Sequence, residues 1–175
     1  MRKWLKPLLL LLGGMVLLGI IGYSLKVPYL YPYSRWLVVS LTEKTPEFLD
    51  NPLPNQRFTD TWHSPRGGGR KHEGSDIFAK RGTPIYANIS GIVVKKGQNR
   101  LGGNIVSVLG VDGRVHYYAH LEDFGDIEKH QWIDKGTIIG TVGDSGNAKG
   151  TPPHLHYGIY TKTGAVNPFL LVKQQ

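Results

Sequence analysis

Two textures divide the chain. From Pro7 to Tyr23 the run "PLLLLLGGMVLLGIIGY" carries no charge over seventeen residues. At 1.5 Å per residue a helix of that length spans roughly 25 Å, close to the lower limit for a bilayer crossing. From Arg57 onward, short apolar runs alternate with glycine-bearing turns: "TPIYANISGIVVKKG", "GGNIVSVLGVDGRVHYYAHL", "KGTIIGTVGDSG" and "HLHYGIYTKTG". Val, Ile, Tyr and Thr dominate these runs, which recur about every ten residues without helical periodicity. That pattern predicts an all-β fold, a small antiparallel sandwich or barrel-like core, with Asp112-Gly113 as a hairpin turn. Between the two textures, residues 34–44 read as a short helix and 45–56 as a proline-broken tether. The expected organisation is therefore an anchor at 1–23, a juxtamembrane segment and linker at 24–56, and a β domain at 57–175.

Charge sharpens the reading of the first segment. Arg2, Lys3 and Lys6 precede the apolar run, which places that end in the cytoplasm by the positive-inside tendency. Trp4 on one side and Tyr23, Tyr29, Tyr31 and Tyr33 on the other suit the two membrane interfaces. A cleavable signal peptide shares the basic start, but its apolar core is shorter and ends in a small-x-small site. The following "SLKVPYLYPY" offers no such site, so the pattern favours an uncleaved single-pass anchor with everything after Tyr23 outside the cytoplasm. The chain has no cysteine, which excludes a disulfide framework, a thiolate metal site and a cysteine nucleophile. The net charge is +8, compatible with an anionic polymer or lipid surface or with a plain basic exterior. Nucleic acid is disfavoured, because the basic residues are not interleaved with aromatics and the domain is exported.

The candidate chemistry lies in the histidines. In "PPHLHYG" two prolines disfavour a helix, and on a strand His154 and His156 share one face while Leu155 points to the core. In "RKHEGSD", His72 and Asp76 would stand roughly 13 Å apart along a straight strand. A bend at Glu73-Gly74-Ser75 would bring them together, with Gly74 free to adopt backbone conformations closed to other residues. Two neutral imidazoles and one carboxylate make a suitable open shell for zinc, with one position left for water. His120, in "HYYAHLED", ends a strand on which alternation puts Tyr118 and His116 on its own face. A histidine near the ion but not bound to it suits proton transfer or oxyanion stabilisation. Spacing alone leaves open which of His120, His154 and His156 bind the metal.

The ordered combination of "RKHEGSDIFAKRGTPIYA", "GIVVKKG", "GGNIVSV", "YYAHL", "KGTIIGTVGDSGNAKGTPPHLHYGI" and "VNPF" resembles the LytM/lysostaphin-type zinc metallopeptidases. These enzymes cut the peptide part of bacterial peptidoglycan. The resemblance covers nearly all of residues 57–175. It implies a core of the duplicated hybrid motif type, with zinc held by His72, Asp76 and His156, and with His120 and His154 as unliganded catalytic histidines. It implies peptidoglycan stem peptides as substrate, and either D-Ala–diaminopimelate cross-links or glycine bridges as the bond cut. Some relatives are silent regulators of other wall hydrolases; the complete ligand set here argues for the enzyme, and any regulatory protein partner is unspecified. The anchor at 7–23 with one short domain suits the inner membrane, with the domain on the periplasmic side. Two positions depart from the family pattern: Ser75, where an aliphatic residue is common, and His130, where glycine is frequent. His63 and His130 read as surface residues, His116 as a strand residue without an assigned task, and Tyr157 as packing.

Overall fold

The structure is a computed structural model and describes residues 13–14, 16–18, 20–21, 24–25 and 30–173. The expected membrane-crossing run, residues 7–23, lies largely outside them. Among the described residues no helix is long and apolar enough to cross a membrane.

The β expectation for the rest of the chain holds. Nine strands are described: β1 (Ser75–Phe78), β2 (Pro84–Tyr86), β3 (Gly91–Asn99), β4 (Gly103–Gly110), β5 (Val115–Phe124), β6 (Trp132–Ile133), β7 (Ile138–Val142), β8 (His154–Thr161) and β9 (Gly164–Val166). All pair antiparallel. The main path runs β1-β8-β5-β4-β3-β6, with β7 joining β2 to β5 and β9 pairing with β8. The Asp112-Gly113 turn connects β4 to β5 as the sequence indicates, and Gly113 takes the φ of +74° that a tight hairpin demands.

The core is built from the inward-facing alternate positions, among them Ile77, Ile85, Val106, Val108, Leu121, Ile139 and Leu155, all essentially inaccessible. It reaches further back than the sequence suggests. Leu49 and Leu53, in the stretch expected to be a tether, are buried with it. Leu49 exchanges backbone hydrogen bonds with Leu171 and Lys173, and Asp50 pairs with Lys135 and Lys173.

The expected helix is Leu30–Thr42 (α1), beginning earlier than residue 34. Pro32 falls in its first turn, where a missing N–H costs nothing, and Pro46 disfavours extension past Thr45. Tyr33, expected at a membrane interface, instead hydrogen-bonds His130 Nδ1 at 2.7 Å. Trp36 donates its indole N–H to the Gly110 carbonyl at 2.8 Å. Arg35 pairs with Asp134 at 3.0 Å and lies over the Trp132 ring. His130 is therefore a half-buried contact for α1 rather than a plain surface residue. Its φ is +68°, the left-handed region that favours glycine, which accounts for the glycine common at that position.

Candidate metal centre and groove

Strand register assembles the centre. β1 and β8 run antiparallel with Asp76 directly opposite His156, so the two side chains project from the same face of adjacent strands. β5 flanks β8 on its other side, with Ala119 opposite His156. Along β8 the alternation is as expected: Leu155 and Tyr157 are fully buried, while His154 and His156 turn to the groove.

His72 reaches the same point from the bend before β1. Its Nε2 lies 3.1 Å from Asp76 Oδ1 and 3.1 Å from His156 Nδ1, and His156 Nδ1 lies 2.9 Å from Asp76 Oδ1. Three donor atoms thus form a near-equilateral triangle. Tetrahedral zinc with bonds near 2.0–2.1 Å has edges of roughly 3.3 Å, so two imidazoles and a carboxylate at this spacing fit the ion. Among the described residues these three are the group able to hold a metal.

The bend works differently from the expectation. Gly74 has no left-handed φ. What it supplies is room, because a Cβ there would stand 2.6 Å from His156 Cε1 and 2.8 Å from the Tyr157 carbonyl oxygen.

Outer contacts fix each ligand. His72 Nδ1 faces the Thr61 hydroxyl at 3.0 Å and the Thr61 carbonyl at 3.1 Å; the carbonyl only accepts, so a proton on Nδ1 serves both contacts and leaves Nε2 free for metal. Arg66 Nη2 donates to Asp76 Oδ2 at 2.5 Å, leaving Oδ1 for the centre. Burial alone would raise the Asp76 pKa, but the two imidazoles packed against it, His156 and His72, outweigh it and hold the carboxyl well below the usual range. Burial pushes the His156 pKa down, against the pull of Asp76, which keeps the ring neutral as a ligand must be.

His120 does not share the face of Tyr118 and His116 that strand alternation predicts. Val106 pairs with Tyr118 and Asn104 with Leu121, so β5 takes three steps where β4 takes two. This bulge breaks the alternation counted from His120. His116 and Tyr118 go into the core at 0 % exposure, while His120, with a φ of +63°, turns to the groove. Its Nδ1 donates to the Ser145 carbonyl at 2.8 Å, and His154 Nδ1 donates to the Pro152 carbonyl at 2.8 Å. In its neutral form each ring therefore presents an unprotonated Nε2. The His120 ring centre lies 5.0 Å from His154 and 5.9 Å from His156. Burial lowers the His120 pKa to about 4; the Ser145 contact opposes this, and His156 and His154 reinforce it.

His116 also has a definite place. With Asp112, Tyr157, Asn88 and Tyr118 it forms a buried polar chain directly behind β8, joined by contacts of 2.7–3.2 Å. Tyr157 packs away from the groove as expected, and its hydroxyl is bonded within this chain. Ser75 lies beneath the site with its hydroxyl buried and unpartnered. His63 is exposed and stacks on Trp62.

The five expected residues thus line one groove of about 530 Å³. Sequence reasoning missed Arg66, Thr61 and Ser145. Ser145 acts through its backbone carbonyl and Thr61 partly so, and a carbonyl leaves no residue-type signature, whereas Arg66 belonged to the basic "PRGGGRK" run beside His72.

Comparison with known proteins agrees with this geometry. The profile described as Peptidase family M23 matches residues 70–168. An L-Ala–D-Glu endopeptidase of Bacillus subtilis is 43 % identical over 124 residues, covering 65 % of this chain and 38 % of the relative. A peptidoglycan DD-endopeptidase of Vibrio cholerae is 33 % identical over 115 residues, 63 % of this chain and 26 % of the relative. The matched region thus spans well under half the length of these curated relatives. The crystallised catalytic domain of lysostaphin from Staphylococcus simulans superposes with a TM-score of 0.60 at 30 % identity, covering 67 % of this chain and 94 % of that domain.

Proposed function

The chain belongs to peptidase family M23, and from that premise we propose that it is a zinc-dependent endopeptidase acting on the peptides of bacterial peptidoglycan. The observation that carries the reading is the triangle of His72 Nε2, Asp76 Oδ1 and His156 Nδ1, open toward a groove that also holds His120 and His154. A zinc ion held there supplies Lewis-acid polarisation of the scissile carbonyl and a more acidic water.

The chain's own part is proton handling. His120 and His154 each have Nδ1–H engaged by a carbonyl, so each is a proton acceptor on the groove side. The ring that takes the attacking water's proton becomes an N–H donor and can return that proton to the leaving amine. Arg66 keeps Asp76 to one oxygen, and Thr61 keeps His72 in the ligating tautomer. A silent wall-binding role is disfavoured because it gives no reason for three ligand atoms to converge. The charge-free run at 7–23 supports a further reading, an uncleaved inner-membrane anchor holding the domain on the periplasmic side.

The test uses the full chain in detergent. It should carry about one zinc, release soluble peptides from purified peptidoglycan, and lose that activity on chelation. His156→Ala should remove zinc and hydrolysis together, whereas His154→Ala should keep zinc and lose hydrolysis. Unchanged hydrolysis in His156→Ala overturns the assignment.

A further inference from the structure

One wall of the groove carries three cations, of which only Arg66 has a task so far. Arg66, Arg70 and Lys71 line the groove together with the carboxylates Glu73 and Asp76. They stand on a small hairpin rather than an irregular loop. His63 N bonds to His72 O, His72 N to Ser64 O and Arg66 N to Arg70 O, each at 2.9 Å, and Pro65 bridges Lys71. Gly68 and Gly69, at φ of +74° and +72°, turn the tip. The ladder runs straight into the ligand His72, so its cations are held at a set distance from the metal centre.

Their hydrogen bonding is incomplete. Arg66 is engaged by Asp76. Arg70 uses Nε on the Gly67 carbonyl at 3.1 Å, which leaves its terminal nitrogens available. The Lys71 ammonium has no partner among the described residues. Cations outnumber carboxylates on this wall before any divalent ion is added, and Asp76 is already paired.

We propose that this wall binds a free carboxylate carried by the carbon next to the scissile nitrogen. Such a carboxylate lies roughly 3–4 Å from the carbonyl under attack, by ordinary bond lengths. That is within reach of arginine and lysine side chains anchored beside the centre, and guanidinium pairs with carboxylate bidentately. The inference rests on the peptidase reading and narrows its substrate. The bond between L-Ala and a γ-linked D-Glu has this carboxylate, and so does the bond between D-Ala and diaminopimelate. A glycine bridge has none, so it falls outside the substrate class.

The experiment uses the zinc-loaded full chain and five peptides. Two contain one or the other carboxylate-bearing bond, two are their counterparts with that single carboxylate amidated, and one is pentaglycine with its C-terminus amidated. Hydrolysis is followed as kcat/KM, and binding of labelled peptides by fluorescence anisotropy. At least one acid should exceed its amide tenfold or more in both readouts, and which pair does so identifies the bond. In Arg70→Gln/Lys71→Gln the acid-to-amide ratio should fall toward one, chiefly through KM. Equal handling of acid and amide, or a ratio unmoved in the double variant, overturns the proposal. If no peptide is cut, the peptidase reading fails, and the anisotropy ratio still decides whether the wall selects carboxylate.

Discussion

Gly74→Ala tests whether the space beside His156 is part of the metal centre. The new Cβ would stand 2.6 Å from His156 Cε1, 2.8 Å from its Nε2 and 2.8 Å from the Tyr157 carbonyl oxygen. Carbon atoms rest at about 3.5 Å, so the shortfall at Cε1 is about 0.9 Å. The Tyr157 carbonyl belongs to β8, which is paired with β1 and β5 on its two sides, and it cannot retreat. The imidazole must move instead. Metal–ligand distances tolerate only about ±0.2 Å, so a shift of this size takes Nδ1 out of the triangle. Losing an orienting contact at a metal site costs on the order of 10–100-fold in affinity, and displacing a ligand itself should reach the upper part of that range. Alanine adds no φ penalty at this position, since Gly74 has no left-handed φ, so the cost comes from these contacts. The assay is zinc competition against a chromophoric chelator, with circular dichroism to confirm a native sheet and peptide release as second readout. A folded Gly74→Ala chain that holds zinc within twofold of wild type and hydrolyses normally would refute the steric argument.

Two further predictions concern groups around the centre. Ser75→Ala removes a buried hydroxyl that has no hydrogen-bond partner; it should stabilise the domain by about 1 kcal/mol, seen as a higher melting temperature, and a lower one would show that the hydroxyl is satisfied. In the metal-free chain His120 stays neutral down to about 4, whereas the unfolded chain binds that proton near 6.5. Its contribution is therefore intact above 6.5 and lost as pH falls toward 4. Unfolding free energies of wild type from urea titration should drop relative to His120→Gln across that window, by up to about 1.4 kcal/mol per pH unit; parallel curves would remove the burial argument.

How far the site was legible follows from the kind of order each part uses. The β8 pair was readable because strand alternation is local, and Leu155 went to the core as that rule requires. Asp112-Gly113 was readable because few residues make a two-residue hairpin turn. The need for glycine at 74 was visible, but its cause was not, because the constraint comes from a side chain more than eighty residues away. Leu49 and Leu53 sit among prolines, and only the pairing of Leu49 with the C-terminal segment reveals them as core. The destination of α1 was equally hidden, since helix propensity says nothing of the partner that Trp36 or Arg35 will find.

The extra step in β5 between Tyr118 and Leu121 has a consequence for anyone who transplants this chemistry. Copying the strand-borne Asp76, His120, His154 and His156 onto a regular antiparallel scaffold would deliver three of them correctly and point His120 into the interior. No substitution repairs that, because the fault lies in how many residues separate two landmarks and not in which residues they are. Chain length between fixed points is thus an inherited ingredient of the apparatus, and a one-residue deletion there should be as damaging as losing the imidazole itself.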